Sequence, residues 1–169
     1  AWTSMGGATL VIEAIAVNAE KGGRSLILTG QLGEVMSESA NIAYSFTRHL
    51  LAGDKEAQEF LEKNAIHLHV PAGATPKDGP SAGITMASAI YSLITGNIAR
   101  GDVAMTGELT LTGRVFPIGG LKEKLIAAKR ANFKEIIFPE LNNKDLAEIP
   151  RHITKGLKFH PVREMSEVL

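Results

Sequence analysis

The 169-residue chain has no cysteine. That excludes a disulfide framework, a thiolate zinc site and a cysteine nucleophile, and it fits a reducing compartment. Neither sign of charge is in excess, because Lys plus Arg and Asp plus Glu number 18 each. No global field draws the chain toward DNA, RNA or an anionic membrane. Aromatic residues are only 5% of the composition, which weakens the case for a stacking platform for single strands. No basic-then-apolar leader is recognisable. The longest uncharged run, Gly79 to Ala99, has the length of a membrane span. However, Pro80, Ser81, Gly83, Thr85, Ser88, Ser92, Thr95, Gly96 and Asn97 make it too polar, and a helix buried in protein is the better reading. There is no G-x-x-x-x-G-K-S/T loop and no strand-linked G-x-G-x-x-G, so the chain carries no recognisable nucleotide site of its own.

The length suffices for one domain with a real core. Residues 8–17 (ATLVIEAIAV) read as a strand, and SLILTG as a second that forms a hairpin with it across NAEKGGRS. From Glu34 to Leu51, Val35, Ile42, Phe46 and Leu50 fall at helical spacing. A short exposed helix, DKEAQEFLEKN, and a strand, Ile66 to Val70, follow. A helix is predicted from about Ser81 to Thr95, strands in DVAMTG and ELTLTGRV, and a helix from Ile118 to Ala131. EIIFP is then a strand, NKDLAEI a helix and LKFHPV a strand, with a helical end. The mixture predicts an α/β (α+β) fold, a mixed sheet with covering helices.

Two residues stand out chemically. Ser81 sits in PKDGPSAG (Pro76 to Gly83), at the predicted start of a helix. There Pro80 suits the first turn, and unpaired amides and the positive end of the dipole suit an oxyanion. Gly79 and Gly83 allow close backbone approach. A serine in such a place also serves as a simple helix cap. A nucleophile needs a base. His49, His67, His69, His152 and His160 are available, but no G-x-S-x-G elbow supports a histidine-assisted hydrolase. His67 and His69 share one strand face, as half of a metal site or as a pair of polar neighbours. On a helical wheel of GLKEKLIAAKRA, Leu121, Leu125, Ala127, Ala128 and Ala131 form one sector, and Lys124 is the charged residue inside it. Such a lysine either snorkels to water or is desolvated and loses its proton more easily. At the ordinary pKa of about 10.4, only roughly one lysine in a thousand is neutral near pH 7.4.

PKDGPSAG, followed by DVAMTGELTLTGRVFPIGGLKEKLIAAKRA, resembles the proteolytic domain of the ATP-dependent serine protease family Lon, in its A-type form. The likeness runs from AWTSMGG to HPVREMSEVL, so residues 1–169 are expected to be one Lon-type proteolytic domain out of a longer chain. The resemblance implies Ser81 as nucleophile and Lys124 as its base. Thr106 of T-G-E would bond the lysine, and amides around Asp78 to Ser81, including Gly79, would bind the oxyanion. His69 and Glu108 would border the site. It further implies endopeptidase activity on unfolded polypeptides and a hexameric ring, in the cytoplasm or an organelle matrix. ATP and Mg would be bound by an ATPase module outside this domain. No metal, membrane or DNA partner is expected for the domain itself. The rival readings are a Lon-like domain used for assembly without proteolysis, a metal hydrolase built on His67 and His69, and a structural domain in which Ser81 is only a cap.

Overall fold

A computed structural model describes residues 2–3 and 6–169. The chain opens with two short strands, β1 (Trp2–Thr3) and β2 (Gly6–Gly7), paired antiparallel. Then come β3 (Glu13–Asn18), β4 (Leu26–Thr29), α1 (Glu34–Leu50), α2 (Lys55–Lys63), β5 (Asn64–His69) and α3 (Gly83–Thr95). The second half holds β6 (Val103–Met105), β7 (Glu108–Leu109), β8 (Val115–Phe116), α4 (Leu121–Arg130) and β9 (Glu135–Pro139). It closes with a 3-10 turn at Glu140–Asn142, α5 (Asn143–Glu148), α6 (Arg151–Thr154), β10 (Lys158–Val162) and a last 3-10 turn at Met165–Glu167.

The α/β mixture is as expected, and the described strands divide among small ladders. One sheet has the order β3-β5-β4 and another β10-β9-β6, with β7 and β8 forming a hairpin. The expected β3–β4 hairpin does not form. β5 lies between those strands, antiparallel to β3 and parallel to β4. A parallel β4–β5 pair needs a crossover, and α1 with α2 supplies it. Residues 8–12, read as part of the first strand, lie outside any strand.

Helix α1 buries a face rotated from the expected one, which keeps Phe46 buried and Ile42 half-buried but leaves out Val35 and Leu50. Met36, Ser39, Ala40, Ala43, Tyr44, Phe46 and Thr47 are buried, whereas Val35 and Leu50 are 45% and 46% exposed. The small residues at this spacing let α1 lie close to α3, its main helical neighbour. Helix α3 is apolar almost all round, as befits a buried helix. It ends at Gly96, which adopts the left-handed φ of 75° that glycine accepts without strain.

The buried side chains form two clusters. The larger gathers α1, α3, β5 and the β7–β8 hairpin around Met36, Ile66, Leu68, Ile84, Met86 and Ile90. The smaller gathers α4, β9 and α6 around Leu121, Leu125, Ala128, Ile136, Phe138 and Ile153. Among the described residues no helix is long and apolar enough to cross a membrane.

Candidate active site

The first helical residue of α3 is Gly83, two positions later than expected, and Ser81 and Ala82 form a turn ahead of it. Ala82 is the N-cap residue, with no side-chain capping bond. Ser81 therefore does not cap the helix, and Pro80 does not occupy its first turn. The Gly83 amide already donates to Pro80 O (3.1 Å). This closes the turn and leaves the partly buried Ser81 at the rim of the larger cluster.

The segment before Ser81 is held by α1. Gly33, the N-cap of α1, has no side chain with which to cap. Asp78 does it from across the fold, its Oδ1 accepting from the amides of Met36 and Gly79 (both 2.8 Å). These bonds, Met36 first, pull the Asp78 carboxyl below its ordinary value. A Cβ on Gly33 would lie 2.3 Å from Asp78 Cγ, so the docking needs glycine there. The Ser39 hydroxyl, projecting from the same helix, donates to Pro80 O (3.4 Å).

Thr106 arrives from the break between β6 and β7. Its amide donates to Ile137 O (3.0 Å), which keeps it in line with β9. Gly107 then donates to Ser81 O (2.8 Å) and accepts from the Ile84 amide (3.2 Å). These bonds stitch the T-G-E segment along the start of α3.

Lys124 comes from α4, whose buried face is Leu121, Lys124, Leu125, Ala127 and Ala128. The wheel is right about this face except for Ala131, which is exposed at the helix end. Lys124 is only 8% exposed and does not snorkel. Burial lowers its pKa from 10.5 to about 8. Its Nζ donates to Thr106 Oγ1 (3.3 Å), and that hydroxyl donates in turn to Ser81 O (3.2 Å). Because the hydroxyl proton is committed to the carbonyl, Thr106 faces the lysine as an acceptor. Among the described residues no direct hydrogen bond joins Ser81 Oγ to Lys124 Nζ.

Asp78, Gly79, Ser81, Thr106 and Lys124 all line one cavity of about 630 Å³. Residues 8–12 and the apolar side chains of Leu125, Phe133 and Ile136 contribute other walls. His69 and Glu108 are not among its lining residues. His69 Nδ1 and His67 Nε2 instead converge on the Thr29 hydroxyl, at 2.7 and 2.8 Å. Glu108 sits in β7 opposite Phe116. Among the described residues no group of three or more histidine, aspartate or glutamate side chains could hold a metal.

The sequence profile of the Lon protease C-terminal proteolytic domain matches residues 1–169. The chain belongs to that family. It is 57% identical to the Lon protease of Treponema pallidum (strain Nichols), over 100% of this chain and 19% of that protein. It is 56% identical to the Lon protease of Lachnoclostridium phytofermentans, over 100% and 20%. A mitochondrial Lon protease homolog of Arabidopsis thaliana is 51% identical, over 99% and 18%. The chain thus spans about a fifth of the length of the curated relatives it matches.

Sequence reasoning missed two parts of this Lon-type site. Ser39, in the middle of α1, carried no signal beyond being a small polar residue on a helix. Lys77 carried no signal in the sequence, yet it is 8% exposed and donates to three main-chain carbonyls. A helical wheel exposed Lys124, and no comparable pattern exists for a residue in a Gly/Pro-rich loop.

Proposed function

We propose that this domain is a serine endopeptidase in which Ser81 is the nucleophile and Lys124 the general base. The observation that carries the reading is the buried Lys124, bonded to Thr106 and sharing one cavity with Ser81. With a pKa of about 8, roughly a fifth of Lys124 is neutral near pH 7.4, against about one in a thousand for an ordinary lysine. Thr106 accepts one Nζ hydrogen and so leaves the lone pair of the neutral amine free for Ser81 Oγ.

The steps follow from these atoms. Lys124 takes the Ser81 hydroxyl proton as Oγ attacks a peptide carbonyl. The ammonium then gives that proton to the leaving amine, and an acyl-enzyme remains on Ser81. Lys124, neutral again, deprotonates a water that hydrolyses the ester. The Gly79 amide is engaged by Asp78, so the amides that suit the oxyanion are those of Ser81 and Ala82, which carry no hydrogen bond among the described residues.

The same reading extends to the full-length protein. Unfolded polypeptides are its substrates, delivered by an ATP- and Mg-dependent module outside these residues, and a hexameric ring encloses the sites. The supports are the family membership, the small share of the relatives' length that this chain spans, and the lack of any phosphate-binding loop in it. Relatives named from bacteria and from mitochondria support the cytoplasm or an organelle matrix as the place of work.

The test uses the full-length protein and a flexible fluorogenic peptide. Ser81→Ala and Lys124→Ala are each expected to lose at least about a thousandfold in kcat while keeping a native circular dichroism spectrum. A peptide boronate should modify wild type at Ser81. Turnover by either variant within tenfold of wild type overturns the dyad. A folded wild type that neither cleaves peptides nor reacts with the boronate returns the domain to an assembly role.

A further inference from the structure

Lys77 is a second buried lysine, and the chemistry above does not use it. Its Nζ donates to Gly30 O, Ala72 O and Thr75 O, each at 2.7 Å. Those three bonds consume every hydrogen of the ammonium. Among the described residues none of its contacts is an ion pair with a carboxylate. A buried ammonium without an anion is costly unless dipoles replace the lost water, and here three carbonyl oxygens converge on it as they would on a bound cation.

The main chain of Lys77 is engaged as well. Its amide donates to Gln31 O (3.0 Å), and its carbonyl accepts from Gly33 (2.7 Å). Residue 77 thus clasps the β4–α1 turn with its backbone and gathers the turn and the 72–75 loop with its side chain. The loop itself has little else to hold it, since Thr75 N to Ala72 O (3.2 Å) is its one internal backbone bond among the described residues. Immediately after Lys77 come Asp78, which caps α1, then Pro80, held by Ser39, then Ser81.

We propose that Lys77 is a positioning residue, a tethered internal cation whose carbonyl cradle fixes the backbone segment that presents Ser81. The inference rests on the reading of Ser81 as nucleophile. It concerns what keeps that nucleophile in place, not the proton transfers.

The cradle has a chemical test. Lys77→Ala deletes the atoms beyond Cβ, and n-propylammonium replaces them. In the full-length protein at pH 7.5, Lys77→Ala is expected to lower kcat for a flexible peptide at least tenfold, with KM within twofold. Amide exchange should accelerate at Gly33, Lys77 and Gly79 and stay unchanged in β9 and β10. Millimolar n-propylammonium should restore at least half of kcat, saturably, and slow that exchange again, without stimulating wild type. If Lys77→Ala does not fold, recovery of the fold by n-propylammonium supports the cradle, and failure to recover counts against it. A kcat within twofold of wild type, or a loss that n-propylammonium leaves untouched, overturns the proposal. Lack of peptidase activity in wild type would instead defeat the reading of Ser81, and amide exchange would still decide the cradle by itself.

Discussion

Lys124 illustrates how one side chain can cost stability and supply reactivity together. The fall from 10.5 to about 8 corresponds to roughly 3 kcal/mol of disfavoured ammonium. The cost is fully present below about pH 8, where both folded and unfolded chains are charged. It fades as the pH rises toward 10.5, because the folded lysine is then neutral while the unfolded one still binds its proton. Lys124→Met is therefore expected to raise stability at pH 7 by up to about 3 kcal/mol, with the gain shrinking between pH 8 and 10.5 in denaturant titrations. Activity should run in the same sense, with kcat/KM rising with pH and levelling off above about 8. A flat profile between pH 6.5 and 9 would count against an amine base. This residue was legible in the sequence because a charged position inside an apolar helical sector is a contradiction that needs a cause. Thr106 was legible only through the resemblance, since its bonds to Lys124 and to Ser81 O join segments far apart in the chain.

At the scale of elements, α1 depends on a cap borrowed from the loop that carries Ser81. Asp78→Ala should lower the melting temperature and accelerate exchange in the first turn of α1, and Asp78→Asn, which keeps an acceptor oxygen, should recover most of the loss. The Asp78 carboxylate binds its proton less readily in the fold than in the open chain. Its contribution is thus present above the unfolded value of about 3.8 and fades as the pH falls through the lower folded one. Acid unfolding of Asp78→Ala should lack that component. None of this could be read from Gly33 and Asp78 as letters, because a trans cap depends on how two distant segments meet. The same limit explains why the face of α1 was only partly legible. Val35 and Leu50 mark apolar spacing, but close approach to α3 selects Ser39, Ala40, Ala43 and Thr47 instead. The β3–β4 hairpin failed for a related reason. Local turn chemistry was present, and a non-local strand, β5, took the edge both strands would have used.

At the scale of the molecule, the candidate dyad straddles the two apolar clusters. Ser81 and Ala82 belong to the side packed around α3, and Lys124 to the side packed around α4. The T-G-E segment joins them, bonded to β9 through Thr106 and to α3 through Gly107. A Cβ on Gly107 would lie 2.8 Å from Val115 Cγ1 and 3.1 Å from Ile84 Cδ1. Gly107→Ala is accordingly expected to cost about 1–3 kcal/mol by overpacking. It should also depress kcat by more than KM, because the Gly107 amide donates to Ser81 O and a shift here moves the residue proposed as nucleophile. Equal activity with unchanged melting would show that the seam tolerates movement.

The buried amine has one more consequence. A lysine poised near neutrality is itself an electrophile trap, because the neutral amine is the nucleophilic form. Brief treatment with a small aldehyde and cyanoborohydride should mark Lys124 ahead of the other lysines, through the mouth of the cavity, as peptide mapping by mass spectrometry would read. The degree of marking would then report, lysine by lysine, how completely the site has assembled, with no substrate needed.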